Sequence, residues 1–188
     1  MTPATATKRQ LSTAEERREA VLEAAMEVFG DRGFLGTPTI DVAKAAGISQ
    51  AYLFRLFPKK EDLVLAVVER SNQRIYETFA KVSAQARAKG EDPGKAMADA
   101  YSELLEDRRL LLTQIHGHAA AASMPEVAAV SRASFAKLVE LVERETGAAP
   151  DEIQKFFAHG MLMNVMAAIG AQDEHGRWAE ILRVCDMP

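Results

Sequence analysis

Apolar residues recur three and four positions apart along almost the whole chain, and nowhere alternate with polar ones long enough to build a strand ladder. The pattern predicts an all-α protein. A first helix is expected from near Ala14 to Asp31, with Val21, Ala25, Val28 and Phe29 on one face and Gly33 as its stop. Thr37 is placed to cap the next helix, with Pro38 at its first position. Residues 42–56 then read as two short helices joined by a tight turn. Val42, Ala46, Ile48, Leu53 and Leu56 are apolar where such helices bury each other, and Ala43 is small where they approach closest. Gly47 can take the left-handed conformation that ends the first helix, and Ser49 can cap the second.

After Pro58 a long helix is expected over about 60–88, with Leu63, Val67, Ser71, Ile75 and Phe79 along one stripe. A loop at 89–94 leads to helices over 95–106, 108–121, 126–146 and 151–171, and a short last one near 176–185. No internal repeat is visible. The chain therefore divides into a three-helix head, 1–59, whose first 11 residues form a mobile tail, and an all-helical body, 60–188.

Two short helices around a glycine turn make a helix-turn-helix, whose second helix commonly lies in a DNA major groove. The alternative is an ordinary αα-hairpin in a helical core. Charge bears on the choice. The chain of 188 residues carries a net charge of −4, yet residues 1–60 hold nine Lys/Arg against seven Asp/Glu. Within 42–60, Lys44, Arg55, Lys59 and Lys60 stand without an acidic residue. A local positive face on an acidic body suits contact with phosphates.

Other classes recede. Cys185 is the single cysteine, which rules out an intramolecular disulfide framework and a thiolate zinc cluster. The first ten residues lack the apolar segment of a signal peptide. The uncharged run 156–172 is shorter than the ~20 residues of a membrane span and reads as a buried helix. The expected location is the cytoplasm, with no membrane partner.

The span from Glu15 to Leu63 resembles the TetR family of bacterial transcriptional regulators. The likeness rests on Gly33-Phe34, Ala45-Ala46-Gly47-Ile48-Ser49, Leu53-Phe54, Phe57, Lys60-Glu61 and Leu63. Three positions depart from it. Phe54 and Leu56 stand where many members carry Tyr and His that contact phosphates. Pro38 stands where a hydroxyl residue is common. Tyr52 and Arg55 offer other donors. The resemblance implies a homodimer made by the last long helices, a palindromic double-stranded DNA operator, and a body pocket for a small effector.

On this reading Gln50, Ala51 and Tyr52 begin the recognition helix, where distances to base edges are short. Gln can pair with an adenine edge, and Arg55 can read guanine or hold a phosphate. Lys60 looks like the family's phosphate-binding lysine, and Thr37 and Thr39 are the hydroxyl donors of the preceding helix. Lys8 and Arg9 belong either to a minor-groove arm or to a solvated tail. In 151–171 apolar or small residues cover nearly all faces, which fits a dimer helix or a central core helix. Gly160, Ala167 and Ala171 would permit close helix approach there.

Polar or polarisable residues within the apolar helices, namely Gln114, His116, His118, His159, Met163 and Asn164, could line a cavity with Phe79, Tyr101, Leu105 and Phe135. His116 and His118 lie two apart, on different faces, which does not build a metal site. No metal, cofactor or catalytic residue is expected. The leading function is a regulator, a repressor released by a largely apolar effector. Its rivals are a constitutive DNA-binding protein and a helical enzyme with His118 or His159 as general base, for which no nucleophile or phosphate-loop motif is present.

Overall fold

The computed structural model describes residues 4–182, with side chains from residue 14 onward. The helices are α1 (Ala4–Gly36), α2 (Thr39–Ala45), α3 (Gln50–Leu56), α4 (Lys60–Lys89), α5 (Pro93–Glu106), α6 (Arg108–Ala121), α7 (Pro125–Thr146), α8 (Pro150–Ala168) and α9 (Arg177–Leu182). A 3-10 turn, Ala171–Asp173, separates the last two, and no strand occurs among the described residues. No described helix is long and apolar enough to cross a membrane.

Three expectations need correction. Helix α1 starts at Ala4, ten residues early, so the segment expected as a tail is helical from that point. Ala, Lys, Arg, Gln and Leu at 6–11 all favour helix over coil, and Pro3 is the last breaker. Lys8 and Arg9 lie outside the described side chains. Thr37 does not cap α2. Its hydroxyl instead donates back to the Gly33 carbonyl at 2.8 Å, and Pro38, lacking a side-chain cap bond, occupies the cap position. Finally α8 stops at Ala168, because Gly170 turns the chain at φ 68°. Cys185 lies outside the described residues, as does the expected end of the last helix.

The kink near the end of α1 depends on Gly33, which sits at φ 73°, ψ 164° inside an otherwise helical run. Only glycine adopts that region at low cost. A Cβ there would also meet the His116 ring at 3.4 Å. The kink folds Phe34 back edge-on to Phe29, with ring centroids 5.2 Å apart.

Two apolar cores result. In the first, Phe29 and Phe34 of α1 pack with Val42, Leu53, Phe57, Leu63 and Val67, and also with Leu110 of α6 and Val127 of α7. The second gathers Ile75, Phe79, Met97, Tyr101, Leu111 and Leu141. The stripe expected on α4 is buried throughout and runs from one core into the other. Arg70 pairs with Glu19 to tie α4 to α1, and Arg74 pairs with Asp107 at 2.9 Å to tie it to the α5–α6 junction.

Replacing Gly33 by alanine should lower unfolding free energy by about 1–3 kcal/mol, the cost of forcing a side chain into that conformation. Urea denaturation measures it. An unchanged midpoint would mean that the turn relaxes without strain.

Candidate DNA-facing surface and interior cavity

Helix α3 is held by Leu53, 1% exposed, on its inner side and by Ser49 at its start, whose Oγ accepts from the Tyr52 amide at 3.1 Å. Gly47 takes φ 65° at the turn. These two devices fix which residues face outward. Ala51, Phe54 and Arg55 are exposed, and Gln50 and Tyr52 are half-buried at the rim.

The outward residues are organised rather than independent. Gln50 Nε2 donates to Thr39 Oγ1 at 3.2 Å, which joins the start of α3 to the start of α2. The Arg55 guanidinium lies 4.9 Å from the centre of the Tyr52 ring, a cation–π contact that holds both side chains along the helix. Lys60 Nζ donates to the Leu35 carbonyl at 3.1 Å, beside the turn after α1. Thr37 does not join this surface. It is fully buried, because its hydroxyl closes the Gly33 turn, so it is not a free donor to a phosphate in this conformation. Sequence reasoning passed over Leu35, at 85% the most exposed large apolar side chain among the described residues. Its one visible signal is an apolar residue off the helical stripe, just after Gly33-Phe34.

Below the second core lies a cavity of about 70 Å³, walled by α4 to α8. Of the residues expected there, Phe79, Tyr101, Gln114 and His118 line it, as do Phe135, His159, Met163 and Asn164. Leu105 does not, being spent on core packing one turn along α5 from Tyr101, and neither does His116, whose ring bonds to the Gly30 carbonyl instead. Phe156 and Phe157 complete the aromatic wall, stacked edge-on 5.5 Å apart, and sequence reasoning had assigned them only to the apolar helix. Asn72, Ser131 and Ser134 were missed as well. The serines are three apart on α7, one helical face, a spacing visible in sequence. Asn72 Nδ2 donates to Ser134 Oγ at 3.1 Å, and these two residues also line an outer cleft between α1, α4 and α7.

The cavity's polar end is a chain of three side chains. The Tyr101 hydroxyl lies 3.0 Å from Gln114 Oε1 and 3.0 Å from Asn164 Oδ1, and Gln114 Nε2 is buried without a partner. Gly160 faces the Tyr101 ring: a Cβ there would come into van der Waals contact with it at 3.4 Å. Gly160 therefore faces α5 and the cavity. His118 stacks on Phe135 with centroids 5.9 Å apart, and burial holds its imidazolium below the ordinary range. No Asp, Glu, Lys or Arg lines the cavity.

A third surface is apolar and exposed. Met161, Val165 and Ile169 along the α8 end, with Trp178, Ile181 and Leu182 of α9, are between 36% and 63% exposed. Among the described residues no group of three or more His, Cys, Asp or Glu side chains gathers as a metal site.

Residues 21–67 match the family model of bacterial regulatory proteins, tetR family. The chain is 31% identical over 110 residues to the HTH-type transcriptional regulator AcrR of Shigella flexneri, a match spanning 56% of this chain and 50% of that protein. Its fold is similar to a TetR family transcription regulator from Marinobacter aquaeolei, with TM-score 0.64 and 21% identity over 91% of this chain and 93% of the other. It is also similar to the transcriptional regulator FadR of Bacillus subtilis in complex with stearoyl-CoA, with TM-score 0.67 and 14% identity over 87% and 94%.

Burial pushes the Tyr101 hydroxyl up from 10.0 to about 12, against the opposing pull of its bonds to Asn164 and Gln114. Below pH 10 the tyrosine is neutral folded and unfolded alike. Between 10 and about 12 only the unfolded chain releases the proton, so this contribution to stability is lost across that window. Tyr101→Phe should lack this alkaline component in a pH series of denaturant unfolding. Parallel curves for wild type and variant would refute the assignment.

Proposed function

We propose that this chain, which by residues 21–67 belongs to the tetR family of bacterial regulatory proteins, is a DNA-binding transcriptional regulator that a small effector releases from its operator. Residues 1–59 act as the DNA-binding head and 60–188 as the effector-binding and dimerisation body, working in the cytoplasm. The observation that carries the reading is α6, which touches both ends of the molecule. His116 Nε2 donates to the Gly30 carbonyl at 3.2 Å, next to the Gly33 turn, while Gln114 and His118 on the same helix line the cavity.

A molecule seated against Gln114 and His118 displaces α6, and α6 bears on the turn that positions α2 and α3. If the effector prefers the displaced arrangement, it shifts the population toward heads that no longer match successive major grooves. Linkage then requires DNA to weaken effector binding by the same factor. That the similarly folded FadR forms a complex with stearoyl-CoA supports a ligand-binding role for this fold.

The exposed apolar face of α8 and α9 supports a symmetric homodimer. Six large apolar side chains in one region, on a body that is otherwise acidic, are covered by a second copy of the same surface. A twofold dimer reads a palindromic double-stranded site.

At the DNA surface, Gln50→Ala should lose about 1–3 kcal/mol of discrimination at one base pair, whereas Lys60→Ala should weaken binding to all sequences alike. Selection of bound sequences from random DNA, followed by titration of both variants, measures this. Equal losses on selected and random DNA for both would refute the roles. Val165→Arg should yield a monomer in sedimentation and abolish operator binding, with the head untouched. A stable monomer in sedimentation that still binds one full site with unchanged affinity would overturn the dimer.

A further inference from the structure

The cavity is too small to be a finished ligand site within one chain. It measures about 70 Å³, whereas pockets that enclose a small molecule run from ~300 Å³ upward and bury most of its surface. Of its lining residues only Phe135 of α7 and Met161 of α8 are exposed, at 38% and 36%, and these two mark its mouth. Phe157 stands between them. Its ring centroid lies 6.1 Å from that of Phe135, and Met161 follows it one turn along α8.

The mouth continues into the exposed apolar face of the body. Phe157, Met161, Val165 and Ile169 recur every four residues, a stripe that winds slowly around the helix. Its first two members line the cavity, and its last two stand in open water, 47% and 63% exposed. On the α7 side Val139, 36% exposed, follows Phe135 at the same spacing. No Asp, Glu, Lys or Arg occurs from Phe156 to Gln172. Such a stripe suits a second copy of itself, because pairing it about a twofold axis takes no charge on it out of water.

We infer that the second copy closes the mouth, so that the effector site is complete only in the dimer, with the neighbouring subunit's apolar face as the wall beyond Phe135 and Met161. This rests on the reading of the cavity as the effector site and of α8 and α9 as the pairing face. An effector too large for the inner cavity extends past these two residues into the interface, and the part of it that reaches the mouth is apolar. Binding and pairing are then linked, each strengthening the other. The effector acts on how the two copies sit together, as well as through α6.

The test uses the full chain and 1-N-phenylnaphthylamine, an uncharged dye that fluoresces once it leaves water. Sedimentation gives the dimer dissociation constant, and dye titrations follow at protein concentrations above and below it. The dye should bind the dimer about tenfold more tightly than the monomer. Val165→Arg, a change at a side chain that does not line the cavity, should show the monomer's affinity at every concentration. Saturating dye should lower the dimer dissociation constant by the square of that factor, since each dimer holds two sites. Ala98→Leu narrows the cavity from α5, away from the pairing face, and should weaken dye binding while leaving the dye-free dimer constant unchanged. Equal dye affinity in monomer and dimer, a dimer constant that the dye does not move, an Ala98→Leu variant that binds dye as wild type does, or no dye binding at all would each overturn the inference. The two readings fail differently. A chain that sediments as a monomer at all concentrations removes the dimer and the inference with it, whereas a dimer whose dye affinity matches the monomer's removes the inference alone.

Discussion

Leu110 and Leu111 are neighbours in the chain, yet they lie in different apolar cores. Helix α6 is thus packed from both sides, and neither core closes without it. Phe29 and Phe34 need Leu110 beneath them to bury the inner face of the head, while Tyr101 and Phe79 need Leu111 to complete the body. Interiors are close-packed and yield little to strain, so a helix shared by two cores cannot move against one without disturbing the other. This constraint couples parts of the molecule that share no direct contact. The uncommon backbone at Gly33 belongs to the same constraint, since the kink leaves space for the His116 ring.

Much of this architecture was legible in the sequence because local signals and burial agree. The stripe Leu63, Val67, Ser71, Ile75, Phe79 is spaced for one face, and that face is wholly buried. Asp92 before Pro93 and Asp107 before Arg108 accept from backbone amides at the starts of α5 and α6, where helix starts were expected within two residues. The cavity lining was legible for a related reason. Gln114, His118, His159 and Asn164 stand in otherwise apolar helices, and a polar group inside a helical protein has to find either a partner or a ligand.

What escaped depends on three-dimensional choices between equally good local options. Thr37 can cap forward or bond backward, and nothing in the neighbouring residues says which. The Gly33 turn decides it by leaving a carbonyl in reach. Leu105 shares its helix with Tyr101 but sits slightly around it, and a small rotation separates core from cavity. Gly160 carries the small-residue signal of close approach without saying to what, and the neighbour proves to be an aromatic ring of α5 rather than a second helix backbone. The missed phenylalanines, Phe156 and Phe157, were hidden by abundance, since a helix apolar on nearly every face gives no indication of which face lines a void.

The bond from Lys60 to the Leu35 carbonyl has a kinetic and entropic side. A lysine on a surface ordinarily samples many rotamers, and fixing it costs up to ~2 kcal/mol. Here that ordering has already been met during folding, by a neutral acceptor that a phosphate oxygen outcompetes through charge. In the proposed role at DNA, the ammonium would meet a phosphate with its chain extended and its direction set, and would exchange one oxygen for another without a search. The carbonyl it leaves is returned to water at the protein edge, where solvent replaces the lost donor at little cost.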